Sequence, residues 1–321
     1  MFFVFVLALS VGSSMLPVGE VFLCVMRIRC SGVVEKIVEL RLSRSTVAFL
    51  TGALLALSGV VMQAIARNPL AEPYILGLSS TALTFLAVAI IVSPGIVASR
   101  YLMAVVTFLG AFTGYVLTTA LSIFAGGTSL ALILSGIAVT MLFSGISHVL
   151  LYIVQSRLKF PYHLLLTGSA ATALTSDVYI LTATLFAGVA AIYLTGLPKK
   201  LNAYVFGDTF AKQLGYNPKI LSITSALLVS VLTGVCVAVV GIVGFVGLVA
   251  PHIARLLLGT ADHRVTLVTA IMIGAVLTLA ADIGARILAI ATAQGEFPLG
   301  VVTSLIGAPF LAYLIVRGGR R

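Results

Sequence analysis

The order of apolar and polar positions divides the chain into ten long apolar runs, near residues 2–24, 45–66, 73–92, 101–123, 130–153, 177–197, 220–240, 242–258, 265–290 and 299–316. Most approach the roughly 20 residues that an α-helix needs to cross a bilayer. Lipid offers no partner for backbone N–H and C=O groups, so open runs of this length predict helices. Most connections are short, which predicts antiparallel neighbours. Three are longer, at 25–44, 154–176 and 198–219, and a soluble partner is expected to reach the molecule there. The fold class is therefore all-α: a polytopic membrane protein of about ten transmembrane helices, forming one domain over residues 1–321.

Composition supports the bilayer as solvent. Of 321 residues, 60% are hydrophobic and 9% charged, against about 45–50% and about 25% in soluble domains. A soluble core could not hide so much apolar surface, which excludes soluble enzymes and nucleic-acid-binding domains. The net charge of 19 − 9 = +10 comes from basic residues scattered between apolar runs, as in loops facing lipid headgroups. No nucleic-acid partner is expected.

The first run has no basic stretch ahead of it, unlike a cleaved signal peptide, and is read as a spanning helix. Cys24, Cys30 and Cys236 form no C-x-x-C pair and no metal spacing. The default reading leaves Cys24 and Cys30 unpaired, with pairing outside the cytoplasm as the alternative. With ten spans both termini share a side. If that side is cytoplasmic, Arg67, Lys199, Lys200, Lys212, Lys219, Arg255, Arg264, Arg317, Arg320 and Arg321 lie inside. Arg27, Arg29, Lys36, Arg41, Arg44, Arg100, Arg157, Lys159 and Arg286 then lie outside. Ten against nine does not orient the chain by the positive-inside rule. Gly52 and Gly59, Gly110 and Gly114, and Gly241, Gly244 and Gly247 suit close helix packing in lipid.

Several chemistries are missing. None of the six lysines follows a glycine, so no P-loop is present. There is no H-E-x-x-H, no G-x-S-G and no third group beside Ser144 and His148. No catalytic residue, cofactor or metal site is expected. All nine carboxylates, Glu20, Glu35, Glu39, Glu72, Asp177, Asp208, Asp262, Asp282 and Glu296, fall in loops or near span ends. A proton relay would place acidic groups at mid-membrane, so energy for transport would have to come from elsewhere.

Three stretches carry a stronger signal. Arg41-Leu42-Ser43-Arg44 precedes an apolar run ending at Gln63, followed by Asn68-Pro69-Leu70-Ala71-Glu72-Pro73-Tyr74-Ile75-Leu76-Gly77. Its two prolines break any helix, and its apolar residues suit irregular backbone lining a cavity. In the second, Leu201 to Gly215, Phe206, Phe210 and Leu214 recur every four residues and give a short helix one apolar edge. Gly215 ends it. The third runs from Gly241 to Arg255, with Pro251 inside it and His252 and Arg255 sharing a face; Arg255 is either an interfacial anchor or a partner contact.

These stretches resemble permease subunits of binding-protein-dependent ABC importers of the FecCD type, which import iron–siderophore, haem and cobalamin. The likeness runs from about Arg41 to the C-terminus. It includes Leu134-Ser135-Gly136-Ile137, Asp282-Ile283-Gly284-Ala285-Arg286, Phe297-Pro298-Leu299-Gly300-Val301-Val302-Thr303 and Gly307-Ala308-Pro309-Phe310. Ser43 stands where the family often has proline, and Phe297 where it often has leucine. The resemblance implies a ten-helix subunit, a homodimer with the path on its axis, cytoplasmic termini, two ATP-binding ABC subunits beneath and one extracytoplasmic binding protein. It implies docking of the binding protein on Arg41, Arg44 and Arg286. It implies an ATPase-coupling loop over Phe206, Gly207, Asp208, Phe210, Ala211, Leu214 and Gly215. It further implies a cytoplasmic gate at Asn68, Leu70, Thr128 and Ser129. The expected cargo is a metal chelate, iron(III)–siderophore first, with cobalamin, haem and molybdate as alternatives; an ATP-independent carrier and a membrane-embedded enzyme are other classes.

Overall fold

A computed structural model describes residues 2–12, 14–26, 28, 30, 32–158, 163–293 and 297–318. Arg27, Arg29, Lys159, Glu296, Arg320 and Arg321, counted above among the charges, lie outside the described residues. The described residues form helices joined by turns and irregular stretches, with no strand among them. The helices are α1 (Phe2–Ser10), α2 (Val18–Val25), α3 (Gly32–Ala66), α4 (Leu78–Val92), α5 (Arg100–Phe124), α6 (Ser129–Leu158) and α7 (His163–Thr167). They continue as α8 (Thr175–Leu194), α9 (Leu197–Tyr204), α10 (Asp208–Gln213), α11 (Pro218–Val240), α12 (Val246–Leu258), α13 (His263–Thr292) and α14 (Leu299–Gly318). Six of these, α3, α5, α6, α8, α11 and α13, are long and apolar enough to cross a membrane, and α4, α12 and α14 are shorter apolar helices.

The hub is α3, whose second half, Val47 to Ala64, is buried on all sides, as a helix that is apolar all round must be. It packs against α13, α11, α12 and α8. Close approach is permitted by glycine: a Cβ at Gly52 would overlap the Gly274 backbone of α13, and one at Gly59 the Gly247 backbone of α12. Without Cβ atoms, dispersion contacts can hold the helices where lipid removes the hydrophobic drive. On the rim, α5 and α6 leave Leu109, Phe124, Leu134, Met141, Leu142 and Val149 exposed, a surface suited to lipid or another apolar chain.

Three predicted boundaries change. The run 2–24 is not one helix. It breaks after Ser10, where Gly12 leaves room filled by the Arg41 guanidinium, and Pro17 starts the separate α2. The sequence marks the break with Ser10, Gly12, Ser14 and Pro17, which the strongly apolar residues on either side outweigh when hydropathy is averaged over the run. The linker 25–44 is largely helix, being the first third of α3; Val38 joins Val6, Leu9, Val21 and Cys24 in a second small core. Cys24 and Cys30 form a disulfide, against the default reading, because the turn after α2 brings their Cα atoms to 4.6 Å. Cys236 is free and buried.

The linker 154–176 is also less open than expected. Gly168, Ser169 and Ala170 are buried, and Ser169 N–H donates to Val240 (2.7 Å) while Ile242 N–H donates to Leu165 (2.9 Å). The irregular backbone after α7 and after α11 satisfies its N–H groups on the carbonyls of Val240, at the end of α11, and Leu165, in α7, as a water-free interior requires.

Candidate functional site

Contacts sort the chain into two ends. One end gathers the α3 C-terminus, the α5–α6 turn, α9, α10 and the α12–α13 turn; the other gathers the α1 C-terminus with Arg41, Arg44, Asp282 and Arg286.

At the first end, the predicted 198–219 loop becomes two short helices. Gly207 (φ +114°) and Gly215 (φ +80°) bracket α10, both in conformations that disfavour side chains. Ala211 is fully buried, and this pins one face of α10 to the protein. The opposite edge is open: Phe206 is 77% exposed, Phe210 42% and Leu214 53%. Phe206 and Phe210 meet edge-to-face at 5.5 Å. The expected helix is shorter than the four-residue spacing implied, since only Phe210 lies within α10 while Phe206 precedes Gly207 and Leu214 is the C-cap. The three still form one exposed apolar edge, unpartnered in this chain and rimmed by Asp208 and Lys212.

Two ties that the sequence did not disclose fix this module. On α9, Asn202 donates to Asp262 (2.7 Å) and accepts from the His263 N–H (2.9 Å), joining it to the start of α13. Hydrogen bonds from Arg264 hold the Asp262 carboxyl well below the usual carboxylate range. On the other side, Arg67 donates to the Tyr204 carbonyl (2.9 Å), lies 4.1 Å over the Tyr204 ring and pairs with Asp208. Burial raises the Tyr204 hydroxyl above its ordinary value. Arg67 could have been suspected only from its place before Asn68-Pro69.

The gate candidates come together. Asn68 Nδ2 donates to Ser129 Oγ (3.4 Å), Ser129 Oγ donates to the Ala66 carbonyl (2.8 Å), and Asn68 Oδ1 accepts from Leu70 N–H (2.9 Å). Thr128 caps the start of α6 by accepting from Ala131 N–H (3.1 Å) and does not touch Asn68 through any hydrogen bond described. Beyond Leu70 the chain dives inward. Thr118 donates to the Leu76 carbonyl (2.9 Å), Thr140 to that of Tyr74 (2.9 Å), and buried Glu72 accepts from the Phe245 N–H (3.1 Å) ahead of α12. The expected irregular stretch is thus packed into protein, its carbonyls met by threonine hydroxyls.

In the third stretch, Arg255 donates to Gln63 Oε1 (2.8 Å), and Gln63 donates to the Gly247 carbonyl (3.2 Å). Arg255 therefore braces α12 against α3.

At the second end the three arginines face inward. Arg41 donates to the carbonyls of Leu9 (2.9 Å) and Ser10 (3.1 Å), and Arg286 to that of Ala8 (2.6 Å). Together they cap the C-terminus of α1, where carbonyls lack partners and a cation is favoured. Arg286 also reaches Ser45 Oγ (3.0 Å) and pairs with Asp282, one turn away. Arg44 closes the cluster on the other Asp282 oxygen at 2.9 Å. Arg44 and Arg286 share this carboxylate while Arg41 bonds only to α1 and Ser14, so the cluster of three guanidinium groups and one carboxylate carries 3 − 1 = +2. Asp177 is likewise buried, 2.9 Å from Arg100, so Glu72, Asp177 and Asp282 are more deeply held than their positions near span ends suggested. Among the described residues no group of three His, Cys, Asp or Glu could hold a metal.

The chain is similar to known proteins over most of its length. A model described as the FecCD transport family matches residues 1–317. The iron(3+)-hydroxamate import system permease FhuB of Bacillus subtilis is 35% identical over 320 residues, covering 98% of this chain and 80% of that protein. The hemin transport system permease HmuU of Yersinia pestis is 35% identical over 284 residues, covering 87% of this chain and 82% of that protein. Among solved structures, an inward-facing conformation of a metal-chelate type ABC transporter superposes with a TM-score of 0.78 at 29% identity, covering 98% of this chain and 96% of that one.

Proposed function

The chain belongs to the FecCD transport family, and from that premise we propose that it is the permease subunit of an ABC importer that carries a metal chelate, first of all an iron(III)–siderophore, into the cytoplasm. Haem, cobalamin and molybdate are the alternative cargoes. The observation that carries this reading is α10: a helix with an unpartnered apolar edge, tied by Asp208 to Arg67, the residue before the Asn68–Ser129 contact.

In this reading the edge of Phe206, Phe210 and Leu214 docks into an ATP-binding ABC subunit, and the α9–α10 end is cytoplasmic, as are both termini. Residues 1–321 form one transmembrane domain. Two copies of the chain pair, with the path on their axis, and two ATPase copies sit beneath. ATP binding draws the ATPases together and moves α9–α10 as a rigid body, switching the path between outward-open and inward-open. Asn68, Leu70, Thr128 and Ser129 narrow its cytoplasmic mouth.

The extracytoplasmic binding protein meets the +2 cluster of Arg41, Arg44 and Arg286. Since Arg41 and Arg286 spend their donors on α1, they act mainly as charge and as support, and Arg44, at the rim of the cluster, makes the nearer contact. Carboxylates on the partner would be steered there by the field.

No residue of this chain hydrolyses ATP in this account; hydrolysis resides in the partner. Co-purification of a Walker-motif ATPase with the chain, abolished by Phe210→Glu, tests the docking assignment. Retention of the ATPase by that variant would refute it.

A further inference from the structure

One residue joins the two halves of the cytoplasmic end. The hub helix α3 stops at Ala66, and Arg67 takes φ +48°, a left-handed conformation rare outside glycine and held only when surroundings over-determine it. The surroundings here are on α9 and α10. The Arg67 Nε donates to the Tyr204 carbonyl at 2.9 Å, the guanidinium stacks 4.1 Å over the Tyr204 ring, and Nη2 pairs with Asp208 at the start of α10. The very next residue is Asn68, which meets Ser129 at 3.4 Å, while Ser129 in turn holds the Ala66 carbonyl at 2.8 Å.

A displacement of α10 therefore reaches the Asn68–Ser129 contact through a single residue's side chain and backbone. The Arg67–Asp208 pair is also half in water, with side chains 32% and 55% exposed. Such pairs contribute little net stability, so this one can part and re-form during a cycle without unfolding anything. The stacking on Tyr204 of α9 is a second hold on the same guanidinium, so that α9 and α10 carry Arg67 with them when they move together.

We propose that Arg67 is a positioning residue that latches α10 to the Asn68–Ser129 constriction, so that movement of the docked ATPase opens and closes the path. This rests on the assignment of α10 as the ATPase-docking helix and goes beyond it by naming the link from that helix to the gate.

The test uses the complete transporter in proteoliposomes, with the ATPase, the binding protein and a ferric hydroxamate as probe cargo. The readout is cargo imported per ATP hydrolysed, together with ATPase retention and melting temperature. Arg67→Gly keeps the left-handed turn and removes the latch. It is expected to retain the ATPase and its melting temperature while import per ATP falls about fivefold or more, the scale of a typical coupling energy. The charge swap Arg67→Asp with Asp208→Arg is expected to recover much of that ratio at an unchanged melting temperature, whereas a merely structural tie would lower the melting temperature of the single variants. An unchanged ratio in Arg67→Gly, or a swap no better than its single variants, overturns the latch. Phe210→Glu, run alongside, separates the two levels. Intact ATPase retention in Phe210→Glu rejects the docking assignment itself, whereas lost retention there with normal coupling in Arg67→Gly rejects the latch alone.

Discussion

Arg44 on α3 and Asp282 on α13 are joined at 2.9 Å across a carboxylate only 1% exposed, and the second oxygen of that carboxylate belongs to Arg286. A buried charge shared in this way is costly to break from one side, because the groups left behind have lost their solvent as well as their partner.

Asp282→Ala should therefore destabilise the detergent-solubilised protein by ~3–5 kcal/mol, read as a lower melting temperature. Arg286 would lose its orientation, so α1 should become sensitive to limited proteolysis near Ser14. Full stability and full protease resistance would contradict the bracing role given to this carboxylate.

Docking at the same end makes a different demand. Reversal of both Arg41 and Arg44 to Glu should weaken binding-protein affinity by at least tenfold, about 1.4 kcal/mol. Arg44→Gln alone should weaken it less and reduce its salt dependence, since charges in water are screened within a Debye length. Affinity unchanged at physiological salt in both variants would remove the docking role.

The inward turn of Arg41 and Arg286 marks where sequence reading stopped. An arginine pair at a span end reads the same whether it points to a partner or to a neighbouring helix. What decided the direction was the break after Ser10, which leaves the Ala8, Leu9 and Ser10 carbonyls open as acceptors. That break rests on Gly12 and Pro17, inside a run that hydropathy treats as continuous. By contrast the exposed edge of α10 was legible because Phe206, Phe210 and Leu214 repeat with the helix period, and Gly215 marks its end. The family resemblance named Asn68 and Ser129 as parts of a gate, and their hydrogen bond came only with the structure. Spacing could not have paired residues 61 apart.

The Cys24–Cys30 disulfide closes a short loop with a separation of six residues. In the chain-entropy account such a loop still contributes ~2 kcal/mol, confined to the small core of Val6, Leu9, Val21, Cys24 and Val38. Reduction should loosen α1–α2 while leaving ATPase assembly at the other end unchanged. A membrane-impermeant maleimide should then label these cysteines from the extracytoplasmic side. Labelling only from the cytoplasmic side would invert the proposed orientation.

At the opposite end, Phe210→Glu removes the centre of the apolar edge, and Gly215→Asp places a side chain at φ +80°, a backbone state that costs L-residues roughly 1–2 kcal/mol. Both should abolish transport and ATPase retention while membrane insertion stays normal, as measured by co-purification and uptake. Survival of assembly and transport in both variants would show that α10 is not the docking element.

The central claim is that this chain is a passive path worked by a separate ATPase. Its most direct test is uptake of a ferric hydroxamate into proteoliposomes holding the chain with or without the ATPase and the binding protein. The account predicts uptake that requires ATP and both partners and is indifferent to proton or sodium gradients. Uptake by the chain alone, driven by an ion gradient without ATP, would contradict it.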